Sequence, residues 1–182
     1  MKNKKIYILQ VHTGTIPSKI VKVFTKYKYS HILLSTDNSF KKMYSFGRRT
    51  INNPLNGGFI IESYDGNFFS KYIKTKCRLY ELKINDSQYK QLIETLNKYE
   101  QEPLKYNYDF IGAIGRTLHI NIKRKNHYVC SQFVAEVMEQ SQIYKFNKPT
   151  QFVKPRDFES LPNSEIIYDG YLNDIGVVNK WI

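Results

Sequence analysis

The sequence lacks any apolar run of the roughly 20 residues that a helix needs to cross a bilayer. It also lacks a glycine-rich phosphate loop, an HExxH zinc motif and a GxSxG nucleophile elbow. Its 16 acidic residues are scattered, without the clusters that metal or glycosidase chemistry needs. These absences argue against a membrane-spanning protein, a nucleotide-phosphate enzyme and a zinc protease, and we expect neither a metal nor a cofactor.

Cysteine is also scarce, with only Cys77 and Cys130 in the chain. Two cysteines cannot form a disulfide framework, and neither has CxxC or Cys/His metal spacing. Cys77 lies in an alternating apolar and polar stretch that is typical of a strand, where a packed thiol is the default. Cys130 instead opens a stretch with the apolar spacing of an amphipathic helix.

Positive charge is plentiful: 28 Lys and Arg residues against 16 Asp and Glu residues give +12. Such an excess suggests nucleic acid, an anionic membrane face or an acidic substrate as partner. Lys outnumbers Arg 22 to 6, however, and Asn and Ile are abundant, which is typical of AT-rich codon usage. We therefore expect no nucleic-acid partner and keep peripheral membrane contact open, with 19–28 and 123–125 as the candidate basic segments.

The N-terminus is basic, and the apolar run that follows ends at Gln10. That run is too short for the apolar region of a signal peptide, and no small-residue cleavage site follows, so a buried first strand and a cytoplasmic location are expected. With 182 residues and 41% apolar residues, the chain can bury a core of its own. We expect one α+β domain over 1–182.

Periodicity and turn residues predict alternating strands and helices. The predicted strands are 6–11, 31–35, 42–46, 59–63 and 78–84; the predicted helices are 17–26, 86–100, 106–118 and 130–142. A loop is predicted over 52–58, and 149–161 is expected to be mostly loop with a short helical candidate.

Of the catalytic chemistries considered for this sequence, nucleophilic catalysis by a cysteine is the one that remains. A thiol at a helix N-terminus meets the positive end of the helix dipole, which stabilises the reactive thiolate, and backbone N–H groups there can hold an oxyanion. Such a thiol also needs an imidazole as its base. His31 begins a predicted strand and would be held rigidly, whereas His127 lies close to Cys130 across a junction that points the two apart. Position alone does not separate catalytic from structural roles for Cys130 and His31.

The order of these residues adds more specific information. A histidine strand that precedes a cysteine helix by 99 positions resembles the circularly permuted NlpC/P60 group of papain-like cysteine hydrolases. The similarity is to the YiiX/YebB-like branch, which is related to lecithin retinol acyltransferase-like proteins. The segments that carry it are 13–15, 29–31, 44–48, 57–62, 128–134 and 155–158. The resemblance implies a permuted papain-like α+β fold, with Cys130 as nucleophile and His31 as base.

In that group a third polar residue, often Glu or His, follows on the next strand. Here Ser45 takes the matching place. A serine can accept a hydrogen bond from the imidazole but cannot stabilise an imidazolium as a carboxylate does. Our prediction is therefore Ser45, with Glu62 at the end of the next strand as the reserve.

Further residues are candidates for substrate binding, each with a structural alternative. The amide of Gln10 is a candidate donor for an oxyanion hole, and its structural alternative is a plain polar residue at a strand end. Arg48, with Arg49, could meet an anionic group or solvent. Tyr44 and Tyr128 could line a cleft, although 15 tyrosines make a chance placement common.

The resemblance implies a cysteine hydrolase or acyltransferase that acts on an amide or ester bond through an acyl-enzyme. A small molecule, a peptide or a lipid would be its substrate. Two alternatives remain: a basic protein that binds nucleic acid or a membrane surface, and a member of the fold whose chemistry has decayed. The second alternative depends on the missing acid at position 45.

Overall fold

The computed structural model describes residues 3–14, 27–50, 53, 56–117 and 124–178; for 114–117 and 177–178 only the backbone is described. The strands are β1 Lys4–His12, β2 His31–Ser35, β3 Met43–Arg48, β4 Gly57–Glu62, β5 Lys76–Ile84, β6 Asn107–Tyr108, β7 His127–Tyr128 and β8 Ser164–Tyr171. The helices are α1 Asn67–Lys71, α2 Asp86–Gln101, α3 Phe110–Thr117, α4 Cys130–Gln140 and α5 Ile175–Val178. Short 3₁₀ segments occupy Pro103–Lys105, Thr150–Phe152, Pro155–Ser160 and Leu172–Asp174.

The eight described strands form one sheet in the order β7-β6-β4-β3-β2-β1-β5-β8. β1 is antiparallel to both β2 and β5, and β5 is antiparallel to β8, whereas β6 and β7 run parallel. The prediction of a mixed helix and strand protein is confirmed. None of the helices in the described ranges is long and apolar enough to span a membrane.

Two compact units divide the chain. The first is made from 1–44, 61–86 and 155–182, and the second from 45–60 and 87–154. The organisation as one domain over 1–182 stays a prediction.

In the first unit, β1 is buried along almost its whole length. Its odd-numbered side chains, Tyr7, Leu9 and Val11, pack in a core cluster with residues such as Phe40 and Cys77. Ile6 and Ile8, which alternate with them, are also fully buried. Successive side chains of a strand point to opposite faces, so β1 is covered on both faces, which explains its nearly continuous apolar sequence.

Gln10 is a polar exception within β1, and its side chain is fully buried. Its Nε2 donates to the carbonyl oxygen of Pro155 at 2.7 Å. Its Oε1 accepts from the hydroxyl of Tyr27 at 2.8 Å and lies 3.5 Å from the hydroxyl of Tyr80. A buried amide with these partners is satisfied. Gln10 therefore holds the 155–160 segment against the strand and is not a polar strand-end residue.

Strand β8 was not predicted. Its apolar run, 166–168, is only three residues long and is bounded by Glu165 on one side and by Asp169 and Gly170 on the other. Long-range contacts hold it: it pairs with β5, and the Arg78 guanidinium lies 2.8 Å from a carboxylate oxygen of Asp169. Partial burial of Asp169 opposes ionisation, but hydrogen bonds from Arg78 and Tyr29 outweigh it and hold the pKa of this carboxyl below its usual value.

An aromatic cluster forms the core of the second unit. The ring of Phe133 on α4 lies 5.1 Å from that of Phe46 and 5.0 Å from that of Tyr99, between ring centroids. Phe59 stacks on Tyr99 at 5.6 Å. These spacings are those of favourable aromatic pairs. The cluster joins β3, β4, α2 and α4, and it holds the helix that Cys130 begins.

The helix predicted over 106–118 begins later, at Phe110. Asp109 caps it, since its carboxylate accepts from the backbone N–H of Gly112 at 3.0 Å. The preceding residues, Asn107 and Tyr108, form β6 instead, because they pair with β4 and β7. Strand pairing and the cap together set this boundary.

Other boundaries shift by a few residues. α4 ends at Gln140, two residues earlier than predicted, and Gln142 takes a left-handed conformation just beyond the helix (φ 55°). β4 already begins at Gly57, inside the predicted loop. The helix predicted over 17–26 lies outside the described residues.

Candidate active site

Cys130 is the first residue of α4 and is 5% exposed. Val129 before it is extended (φ −98°, ψ 162°), and no side chain caps this helix end. The first turn also carries no acidic residue. The positive end of the helix dipole therefore faces the thiol without a neighbouring cap or acid on the same turn, a setting that favours thiolate.

The next residue fixes the start of the helix. Ser131 is buried, and its Oγ donates to the carbonyl oxygen of Val153 at 2.5 Å. This bond ties the N-terminus of α4 to the segment that follows Thr150–Phe152. Sequence reasoning missed this contact; a serine directly after the cysteine was its only local signal.

His31 begins β2, as predicted, and its backbone pairs with Val11 on β1. The backbone N–H of Ser30 donates to the carbonyl of Val11 at 3.1 Å, so the strand pairing extends one residue further. The imidazole is therefore attached to a backbone that β1 holds in place, as a catalytic base requires.

Glu62 provides a carboxylate beside His31. Its Oε2 lies 4.0 Å from His31 Nε2, and the two side chains are 11% and 19% exposed. At this distance a charge on the imidazole is stabilised through the field of the carboxylate, and shielding from water strengthens that interaction. Of the two candidates for the third residue, Glu62 therefore lies beside the histidine within the first unit.

Ser45 lies on β3 and is fully buried. It belongs to the second unit by chain position, whereas His31 and Glu62 belong to the first. Its role as the third catalytic residue stays a prediction.

The predicted substrate-binding residues have different surroundings. Tyr44 is buried on β3, and Arg48 is half-buried at the end of the same strand. Tyr128 packs its ring 5.1 Å from that of Phe46, and burial raises the pKa of its hydroxyl. Arg49 donates to the carbonyl of Tyr106 at 2.5 Å, which gives its guanidinium a structural partner. For Tyr44, Arg48 and Tyr128 a binding role stays a prediction, as it does for the Gln10 amide, whose donor is used by Pro155.

The second cysteine is a natural internal reference. Cys77 is fully buried in the core of the first unit, and burial raises the pKa of its thiol well above the ordinary value. Such a thiol is inert in the folded protein. Within the part of the chain that the structure describes, no group of three or more His, Cys, Asp or Glu side chains is arranged to hold a metal ion.

No family model matches this sequence, and no curated protein matches it either. The structure itself defines a mixed helix and strand protein. Its candidate chemistry consists of a cysteine at a helix N-terminus and a histidine beside a carboxylate.

Proposed function

We propose that the protein is a cysteine hydrolase or acyltransferase that acts on an amide or ester bond. Cys130 is the nucleophile and His31 the base. The observation that carries the proposal is the Glu62 carboxylate 4.0 Å from His31 Nε2. It supplies the acidic partner that the residue at position 45 does not, and so favours active chemistry over decayed chemistry.

The proposed reaction begins with transfer of the Cys130 proton to His31. Because Nε2 faces Glu62, Nδ1 is the nitrogen that takes this proton. The thiolate then attacks the carbonyl carbon, and the carbonyl oxygen becomes an oxyanion that N–H groups at the start of α4 stabilise. The proposal requires the thiol and the imidazole to meet in the reacting molecule.

The second half of the reaction releases the product. The tetrahedral intermediate collapses, the carbon–leaving group bond breaks, and the imidazolium returns its proton to the departing amine or alcohol. The acyl group is then bound to Cys130 as a thioester. Water or another acceptor, deprotonated by His31, attacks the thioester carbonyl. The carbon–sulfur bond breaks, the acyl group leaves on the acceptor, and the imidazolium returns its proton to the Cys130 sulfur.

Glu62 has a positioning role in this scheme. Two unit charges 4.0 Å apart interact by about 1 kcal/mol in water and about 4 kcal/mol at an effective dielectric constant near 20. The side chains are mostly shielded, so the benefit to the imidazolium lies between these limits. At this separation the carboxylate acts on the ring through its charge.

The permuted papain-like topology belongs to the same proposal. It is supported by the order of the elements, because the histidine strand β2 comes early in the chain and the cysteine helix α4 comes late. A cytoplasmic location and a peptide, small-molecule or lipid substrate are parts of it too.

A burst experiment tests this function. Mixing the protein with a panel of p-nitrophenyl esters of increasing acyl length should release close to one equivalent of nitrophenol before steady turnover, because acylation of a thiol by an activated ester outpaces deacylation. Acid quench and mass spectrometry should place the acyl group on Cys130. Steady turnover with no burst, and no acyl group on this residue, would contradict the proposal.

A further inference from the structure

A tight turn in the first unit projects beyond the C-terminus of α1. The backbone N–H of Thr75 donates to the carbonyl of Tyr72 at 2.9 Å, and its hydroxyl donates to the same oxygen at 2.6 Å. The Thr75 carbonyl accepts from the N–H of Leu172 at 2.9 Å, and both Thr75 and Leu172 are fully buried. Ile73 and Lys74 are thus the central residues of a turn that is anchored at its base.

The turn presents apolar surface to solvent. Ile73 is 60% exposed although it is a large aliphatic residue. Tyr171, which is 46% exposed, is the cross-strand partner of Lys76, the residue that follows the turn. A protein surface that exposes such side chains together on an anchored turn is a candidate interaction site.

Lysines surround this apolar tip. Lys71, Lys74 and Lys76 are exposed, and among the described residues none of the three ammonium groups has an ion pair. Other lysines of the same unit do have one: Lys41 pairs with Asp65, and Lys5 with Glu81 at 2.9 Å. The neighbouring 3₁₀ segment contributes one carboxylate, Asp174, against the three cations. The tip is therefore apolar at its centre and positively charged around it.

We propose that the 71–76 turn, with Tyr171, docks the protein on an anionic phospholipid surface. Ile73 enters the boundary between headgroups and acyl chains, Tyr171 lies at headgroup level, and the lysines contact lipid phosphates. The exposed Ile73 gains free energy in lipid, whereas the phosphate backbone of a nucleic acid offers this aliphatic side chain no apolar region, so a membrane fits this surface better. The docking is independent of Cys130.

The exposed apolar residues of the second unit fit a membrane less well. Leu104 is 77% exposed and Ile111 is 54% exposed. Acidic side chains near them in sequence are paired with cations, however: Glu102 with Lys105 at 2.5 Å, and Asp109 with Arg124 at 3.6 Å. Charge complementarity therefore points to the 71–76 turn.

Vesicle sedimentation tests the proposal with the whole chain. Vesicles of equal parts phosphatidylcholine and phosphatidylglycerol should bind the protein at least about tenfold more tightly than pure phosphatidylcholine, and added salt should weaken the binding. Replacing Lys71, Lys74 and Lys76 together by Gln should cost roughly 100-fold, at about fivefold per lysine. Ile73→Ser should cost about tenfold, because the lost side chain no longer enters the lipid.

The control changes three exposed lysines elsewhere: Lys83, Lys90 and Lys98, also to Gln. This variant has the same net charge as the test variant and should keep its affinity within about threefold. Equal losses in both triple variants would overturn the proposal, because binding would then follow total charge. Binding to neutral vesicles that is as tight as binding to anionic vesicles would also overturn it. So would an Ile73→Ser variant that keeps full affinity while an oligonucleotide displaces the vesicles.

Discussion

Alanine in place of Cys130 is expected to lower ester turnover at least about 1,000-fold, to the level of the uncatalysed reaction plus what binding alone provides. The reason is chemical: without the sulfur there is no nucleophile and no thioester. His31→Ala is expected to lower turnover by a similar factor, because the effects of replacing residues that act as a unit are not additive. Initial rates on the ester panel, measured at matched protein concentrations, give both values.

The matched control is Cys77→Ala. Cys77 is fully buried in the core of the first unit. Its replacement should lower the denaturant midpoint, because it leaves a small cavity, and leave turnover per folded molecule unchanged. Turnover that survives Cys130→Ala would contradict the proposed nucleophile. Turnover lost in a folded Cys77→Ala variant would mean that Cys77, and not Cys130, carries the chemistry.

Glu62→Gln is expected to lower turnover about 10- to 100-fold. The amide keeps the shape of the side chain and removes the charge 4.0 Å from His31 Nε2, so the imidazolium formed in the reaction loses its stabilisation. Glu62→Asp should recover part of the rate, because it retains the charge at a longer distance. Glu94→Gln on the exposed side of α2 removes an equal charge and should change nothing.

A double-mutant cycle separates positioning from a general effect. If Glu62 acts through the imidazole, Glu62→Gln should have almost no further effect in a His31→Ala background. Turnover and the alkylation rate of Cys130 should both show this. Effects that multiply would mean that Glu62 acts independently of His31, and Ser45 would then regain its place as the candidate third residue.

Much of the fold could be predicted where local pattern and burial agree. The apolar run in β1 predicted a buried strand because β1 is covered on both faces, and the spacing of Phe133, Val134, Val137 and Met138 predicted α4, where all four side chains are buried. β8 could not be predicted in this way. Its apolar run, 166–168, spans only three residues, and what holds the strand is a ladder to β5 and the ion pair of Arg78 with Asp169, 91 positions away.

In the candidate site, too, local features could be predicted and long-range contacts could not. The histidine strand and the cysteine helix follow from local sequence. The approach of Glu62 to His31 depends on how β2 and β4 are placed, so the sequence offered Glu62 only as a reserve. The sequence offered Gln10 either as an oxyanion donor or as a strand-end polar residue, but its amide donates to Pro155, 145 positions away, in the core. Long-range partners of this kind leave no local signal.

The pH dependence of Cys130 alkylation by iodoacetamide tests the central claim most directly. A thiolate maintained by His31 should react at about pH 6 within threefold of its rate at about pH 9, whereas His31→Ala should show the roughly 200-fold rise of a thiol with an ordinary pKa near 8.5. The ratio of the two rates does not depend on how accessible the thiol is. Peptide mass spectrometry distinguishes Cys130 from Cys77, whose raised pKa and burial should keep it unlabelled. The same steep rise in both proteins would contradict activation of Cys130 by His31.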